Sequence, residues 1–213
     1  MNAQRTRVML VDDHAVVRSG FRRLLEQYPT IEVVAEADNG EQAYRDSAEC
    51  APDVIVMDLS MPGTSGLETM RRLLARQPKT RIIVFSMHED AAMAERAMRF
   101  GASGYVTKSN APEVMANAVL AVAAGRLFLS PDIAHAIAIF RVAGEGDPFK
   151  LLTPREFEIF LQLVAGQPAT EIAANLNLSV KTIANYHTVI KQKLRASSDM
   201  ELVRIALRYK LLK

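Results

Sequence analysis

Between Arg7 and Ala124, short β-branched runs alternate with longer segments of helical period, and this alternation constrains the fold more than any other feature of the chain. Strands are predicted at Arg7 to Val11, Glu32 to Ala37, Val54 to Asp58, Arg81 to Ser86 and Gly104 to Thr107. Helices are predicted at His14 to Tyr28, Gly40 to Cys50, Leu67 to Arg76, Ala91 to Phe100 and Pro112 to Ala124. Three of the strands are almost wholly apolar, as expected where helices cover both faces of a parallel sheet. The expectation is an α/β domain over 1–124, built on a doubly wound, five-stranded parallel sheet.

The alternation stops at Gly125. Residues 125–147 contain Pro131, Gly144 and Gly146 around an apolar stretch, Ile133 to Arg141, and are expected to form a linker with a short helix. From 148 to 213 no strand pattern remains, and an all-α domain of four helices is expected. Thr153-Pro154-Arg155-Glu156 is a complete capping box, with threonine at the N-cap, proline at N1 and glutamate at N3. With 213 residues, 49% hydrophobic and 23% charged, the chain can support two cores, which excludes disordered and fibrous classes.

The N-terminus reaches the acid pair Asp12-Asp13 after a very short apolar run, so no signal peptide is expected. No segment is long and apolar enough to suggest a membrane span, and the expected location is the cytoplasm. The single cysteine, Cys50, lies outside any metal-ligand grouping. Charge is unevenly distributed. Up to Asp147 there are 16 Lys and Arg against 19 Asp and Glu, a net of −3, whereas from Pro148 onward there are 10 against 5, a net of +5. A basic C-terminal third suits a polyanionic partner, and equally an ordinary solvated surface.

In a doubly wound parallel sheet, the loops after the C-terminal strand ends converge on one edge, where ligands bind. At that edge the chain places Asp12 and Asp13 after the first strand, Asp58 at the end of the third, Ser86 at the end of the fourth, and Thr107 and Lys108 at the fifth. Three gathered carboxylates repel one another and require a cation. A few hard oxygen ligands suit Mg²⁺ completed by water better than zinc. The set also suits phosphoryl transfer to a carboxylate, because charge on the three oxygens of the incoming group must be neutralised. Asp58 would be the nucleophile, Lys108 a fixed ammonium and Ser86 a hydroxyl donor. Asp38, Asp53 and Asp90 read instead as helix caps or ordinary acids.

Val11-Asp12-Asp13-His14, Asp58-Leu59-Ser60-Met61-Pro62-Gly63, Ser86 and Thr107-Lys108 together resemble the receiver domain of two-component response regulators, in order and at family-like spacing. The resemblance implies a flavodoxin-like fold and a phosphoryl group accepted on Asp58 from a sensor histidine kinase. It implies Mg²⁺ ligated by Asp13 and Asp58, with Asp12 acting largely through metal-bound water. Tyr105 falls at the family's aromatic switch position, where it and Ser86 would turn inward together on phosphorylation. A partly buried tyrosine with no such role is the competing reading. Ser60 and His88, in loops flanking the pocket, are candidates for control of phosphate lifetime.

Leu152-Thr153-Pro154-Arg155-Glu156, Glu171-Ile172-Ala173 and Ser179-Val180-Lys181-Thr182-Ile183 resemble the LuxR-type helix-turn-helix of the NarL/FixJ subfamily. Ser179 suits the N-cap of a helix running to about Arg195, with Ile183, Ile190 and Leu194 as its apolar stripe. Lys181, Asn185, Thr188 and Gln192 then fall on the opposite side, with Lys191, Lys193 and Arg195 on the flanks. Such a face suits a major groove: Asn and Gln can read bases, while Lys and Arg hold phosphates. Thr182 and Tyr186 join the expected DNA set. Where family members often carry Lys and His, this chain has Ala184 and Tyr186. His187 points towards the apolar stripe and reads as a packed structural residue. In the last helix, Leu202, Ile205 and Tyr209 are candidates for a dimer contact, and core packing accounts for the same spacing.

The expected function is that of a response regulator and transcription factor, with phosphorylation controlling homodimerisation and binding to paired half-sites in double-stranded DNA. RNA polymerase is a candidate partner; a membrane is not. Two competing readings are a regulator that binds DNA independently of phosphorylation and an aspartyl-phosphate hydrolase. Such hydrolases commonly carry a second Asp two residues after the nucleophile, where this chain has Ser60, so an enzyme is not expected.

Overall fold

The computed structural model describes residues 5–61, 66–87, 89–110, 112–142, 148–209 and 211–212, without the side chains of 141 and 142. It divides into two compact units, Met1–Ala138 and Ile139–Lys213. His88, Pro62 and Gly63 lie outside the described residues.

The first unit alternates β1 (Thr6–Val11), α1 (Ala15–Leu25), β2 (Ile31–Ala37), α2 (Gly40–Cys50), β3 (Val54–Met57), α3 (Gly66–Arg76), β4 (Arg81–Ser86), α4 (Ala91–Arg99), β5 (Gly104–Thr107) and α5 (Pro112–Ala123). The strands stand in the order β2-β1-β3-β4-β5-β6, every pair parallel. The sixth strand, β6 (Phe128–Leu129), corrects the expected count of five. It lies in the segment read as linker and is too short to show a period of two. The expected short helix is α6 (Pro131–Val142), and the boundary between the units falls within it.

Burial explains why the sheet forms. Val8, Leu10, Val54, Val56, Ile83, Phe85 and Val106 occupy alternate strand positions and bury against Leu25, Met115, Val119 and Val122 of α1 and α5. The intervening residues Met9, Ile55, Met57, Ile82 and Val84 are fully buried as well, so the central strands have no solvent face. Strand order reverses between β1 and β3, where the chain winds first to one side of β1 and then to the other. Loops at such a switch point diverge and leave a crevice at the carboxyl ends of the strands. The crevice floor also depends on Gly66. A Cβ there would stand 2.5 Å from the Leu59 Cα and 2.9 Å from the Asp58 carbonyl oxygen, so only glycine lets α3 start this close to the backbone that carries Asp58.

Beyond the C-terminal end of α6, the second unit holds a 3-10 turn, Pro148–Leu151, followed by α7 (Pro154–Val164), α8 (Ala169–Asn175), α9 (Val180–Leu194) and α10 (Asp199–Arg208). Phe149 of that turn packs edge-on to Phe157 and Tyr209, with ring centroids 5.3 and 5.4 Å apart. The expected capping box is present at Thr153, and Ser179 and Ser198 cap α9 and α10 through their hydroxyls. Of the acids read as caps, Asp90 accepts from the Met93 N–H at 2.7 Å, while Asp53 accepts from the Arg7 N–H at 2.9 Å.

Candidate functional site

The ends of β1 and β3 bring Asp12 and Asp58 together, and the hydrogen bond from the Asp58 N–H to the Val11 carbonyl, 2.8 Å, holds the two chain segments in register beyond the last paired residues. Both are buried, Asp12 at 4% exposure and Asp58 at 2%. Lys108 reaches them from the end of β5: its Nζ donates to Asp12 Oδ2 at 2.7 Å and to Asp58 Oδ2 at 2.6 Å. One ammonium thus bridges two carboxylates, which is why two acids can be buried side by side. Burial works against the Lys108 charge, but the two carboxylates outweigh it and hold its pKa above the ordinary lysine value. The other Asp58 oxygen, Oδ1, accepts from the Ser60 N–H at 2.9 Å.

Asp13 and His14 complete the cluster. Ligand atoms of Asp12, Asp13, His14 and Asp58 all lie within 4.8 Å of one another. His14 Nδ1 sits 3.1 Å from Asp12 Oδ1 and 2.9 Å from Asp13 Oδ1. His14 was not singled out from the sequence as a pocket residue; its place beside the acid pair was the only available signal. Asp13 Oδ1 is buried, and no described residue donates a well-aligned hydrogen bond to it. A buried carboxylate oxygen without a well-aligned hydrogen bond, among gathered acids, is the kind of hard oxygen ligand a divalent cation takes, and Asp12, Asp13 and Asp58 therefore fit Mg²⁺.

Ser86 ends β4, where its carbonyl accepts from the Lys108 N–H at 2.8 Å, and Tyr105 lies on β5; both are fully buried. The Tyr105 ring is inward. Burial pushes its hydroxyl pKa far up, opposed by a hydrogen bond with Ser86. The strand that carries Tyr105 is also paired with β6: Tyr105 stands opposite Leu129, and its carbonyl accepts from the Ser130 N–H at 2.9 Å. Thr107, beside Lys108, donates to Asp132 Oδ2 at 2.7 Å, and Asn110 donates to Asp132 Oδ1 at 3.1 Å and to the Thr107 hydroxyl. The loop bearing Lys108 is therefore tied to the first turn of α6, a link that neither period nor spacing in the sequence signals.

On α9 the row expected to face DNA is open to solvent: Lys181, Asn185, Thr188, Gln192 and Arg195 are all exposed, while Ile183, Ile190 and Leu194 are buried. The Thr182 hydroxyl lies 2.7 Å from the Ser179 hydroxyl, and Tyr186 is half-buried. The flanking lysines have internal partners. Lys193 Nζ donates to both oxygens of the buried Glu156 at 2.7 and 2.6 Å, which ties α9 to the capping box of α7. Lys191 donates to Asp199, as does His187. On α10, Leu202 is buried inside the unit, Tyr209 packs on Phe149 and Ile205 is half-buried. The large apolar side chains that α10 exposes are Met200 and Leu207.

Two family models match the chain: the response regulator receiver domain over residues 8–120, and the LuxR family of bacterial regulatory proteins over residues 150–206. The chain is a response regulator of the NarL/FixJ type. It is similar along nearly its whole length to the response regulator UvrY of Escherichia coli K12, with 38% identity over 95% of this chain and 94% of that protein. Similarity to the transcriptional activator ExaE of Pseudomonas putida is 39% over 97% of this chain and 98% of that one. Among solved structures, the RcsB response regulator of Salmonella typhimurium superposes with a TM-score of 0.74, at 26% identity over 97% of this chain and 98% of that one. RcsB bound to the promoter rprA with a phosphomimetic gives 0.71, at 28% identity over 94% and 98%. This response regulator thus joins a receiver domain to a LuxR-type DNA-binding domain and has the role of a transcription factor. Among its described residues no helix is long and apolar enough to cross a membrane.

Proposed function

We propose that Asp58 accepts a phosphoryl group from a sensor histidine kinase and that its occupancy controls how two copies of the C-terminal domain bind paired half-sites. The observation that carries this reading is the single Lys108 ammonium held between the carboxylates of Asp12 and Asp58 at the switch point of the sheet. In the transfer, a carboxylate oxygen of Asp58 attacks phosphorus, the bond to the donor breaks, and an acyl phosphate forms. Lys108 keeps a donor directed at the site where the phosphoryl oxygens gather charge. Asp12, Asp13 and Asp58 would hold Mg²⁺, which when bound supplies further neutralisation of that charge. Ser86 would provide a hydroxyl donor. Its hydrogen bond with Tyr105 then links occupancy of Asp58 to the packing of the ring on β5, giving two arrangements whose balance the phosphate shifts.

The output is a homodimer that places α9 of each copy in a major groove. Lys181, Asn185, Thr188 and Gln192 face the bases, with Thr182, Tyr186, Lys191 and Arg195 towards the backbone. Lys193, bonded to Glu156, acts mainly inside the domain. Dimer contacts on α10 would involve the exposed Met200 and Leu207 with the half-buried Ile205. The protein works in the cytoplasm and acts on transcription through RNA polymerase. Ser60, where a hydrolase would place its second acid, supports a phosphoaspartate kept as a signal, with no turnover of external phosphate esters.

The test is phosphorylation of the purified chain by acetyl phosphate and Mg²⁺, followed as acid-stable, base-labile label. Wild type should be labelled and Asp58→Ala should not; labelling that persists in Asp58→Ala would overturn the assignment.

A further inference from the structure

Asp199, the first residue of α10, presents one carboxylate oxygen to two donors from α9: His187 Nε2 at 2.8 Å and Lys191 Nζ at 3.2 Å. His187 and Lys191 are one turn apart, so their side chains rise from the same face and converge. Neither belongs to the apolar stripe, and both stay partly open to water. The Asp199 side chain is 69% exposed, so an ion pair here is screened and contributes little to stability. Beside it runs a groove lined by His187, Thr188, Lys191, Gln192, Arg195 and Ser197, which includes side chains of the exposed polar row. An imidazole and an ammonium converging on one anionic oxygen, at the rim of a basic groove, is an arrangement that suits a phosphate oxygen.

We propose that His187 and Lys191 form a clamp for one backbone phosphate of DNA, and that Asp199 fills this clamp in the free chain as an internal competitor. The proposal rests on α9 being the DNA-contacting helix. It gives His187 a binding role in place of the packing role expected from its position on the helix. It also makes Asp199 a residue that sets affinity: a phosphate must displace the carboxylate, and the displaced charge remains nearby to repel it. Burial alone would raise the Asp199 pKa, but hydrogen bonds from Lys191 and His187 outweigh it and keep the group below its ordinary value, so the competitor is charged at neutral pH.

The experiment is equilibrium binding of the full chain to a mixed-sequence duplex across a salt series, comparing wild type, Asp199→Asn, His187→Gln, Lys191→Gln and each of the latter two combined with Asp199→Asn. Asp199→Asn keeps the shape and removes the charge. It should tighten binding about three- to tenfold at low salt and steepen the salt dependence by roughly one unit, since the freed cations now neutralise a further phosphate. His187→Gln and Lys191→Gln should weaken binding, and more strongly in the Asp199→Asn background. Unchanged or weaker binding by Asp199→Asn, with a lowered melting temperature, would make Asp199 a strut between α9 and α10 and overturn the clamp. If wild type itself showed no salt-dependent binding, the DNA reading of α9 would fall and the clamp with it.

Discussion

Single residues carry the charge balance of both domains, and each balance has a measurable consequence. Lys108 offsets two buried carboxylates, so Lys108→Ala should destabilise the receiver domain by about 3 kcal/mol, with part of the loss restored by Mg²⁺, which takes over the role of counter-charge. Thermal unfolding of wild type and variant with Mg²⁺ or with chelator measures this; equal losses in both conditions would contradict it. Glu156 is the corresponding residue in the second domain. Burial would raise its pKa, but Lys193 and the Thr153 cap outweigh burial and hold it below its ordinary value of 4.5. A carboxylate lowered on folding contributes stability that is fully present above its unfolded value and is lost as pH falls through its folded value. Melting temperature of the domain should therefore drop below about pH 4.5, and Glu156→Gln should be less stable at neutral pH with a flatter acid limb. The acids, Ser86 and Lys108 were legible in the sequence because the strand ends place them by topology alone. The partners of Lys193 and Lys191 were not, because a helical wheel shows which way a long side chain leaves α9 but not which acid on another helix it meets.

At the scale of elements, the sequence displayed what periodicity can display. The strands and helices of the receiver domain fall where the alternation places them, and α9 starts at the cap expected from Ser179. The segment after α5 departs from the expected linker: two residues of β6 cannot show alternation, and only the edge of β5, unpaired without them, draws them into the sheet. The consequence is mechanical, since α6 then begins against the pocket loop, with Asp132 bonded to Thr107 and Asn110. Burial alone would raise Asp132, yet the hydroxyl and amide donors around it hold its pKa down. Asp132→Ala leaves the buried Thr107 hydroxyl without that acceptor and should destabilise the domain by about 1–3 kcal/mol. Amide exchange in the first turn of α6 should quicken while that of β1 and β3 is unchanged. Unaltered exchange in α6 would show that the turn is held by other contacts.

For the whole molecule, the sequence separated two functions correctly because they rest on different signals: convergent acids at a sheet edge, and a polar helix face in a basic domain. It could not rank the apolar residues of α10, since Leu202, Ile205 and Tyr209 share one helical face, and only packing shows that Leu202 is buried while Ile205 and Tyr209 are half-buried. The central claim joins the two functions: phosphate on Asp58 controls recognition of DNA by α9. The direct measurement is capture of sheared genomic DNA by the full chain, with and without acetyl phosphate and Mg²⁺, followed by sequencing, in wild type and Asp58→Ala at fixed salt. Discrete sites with paired half-sites should be enriched by wild type only when phosphorylated, and not by Asp58→Ala. The same sites enriched equally without phosphate, or by Asp58→Ala, would contradict that claim.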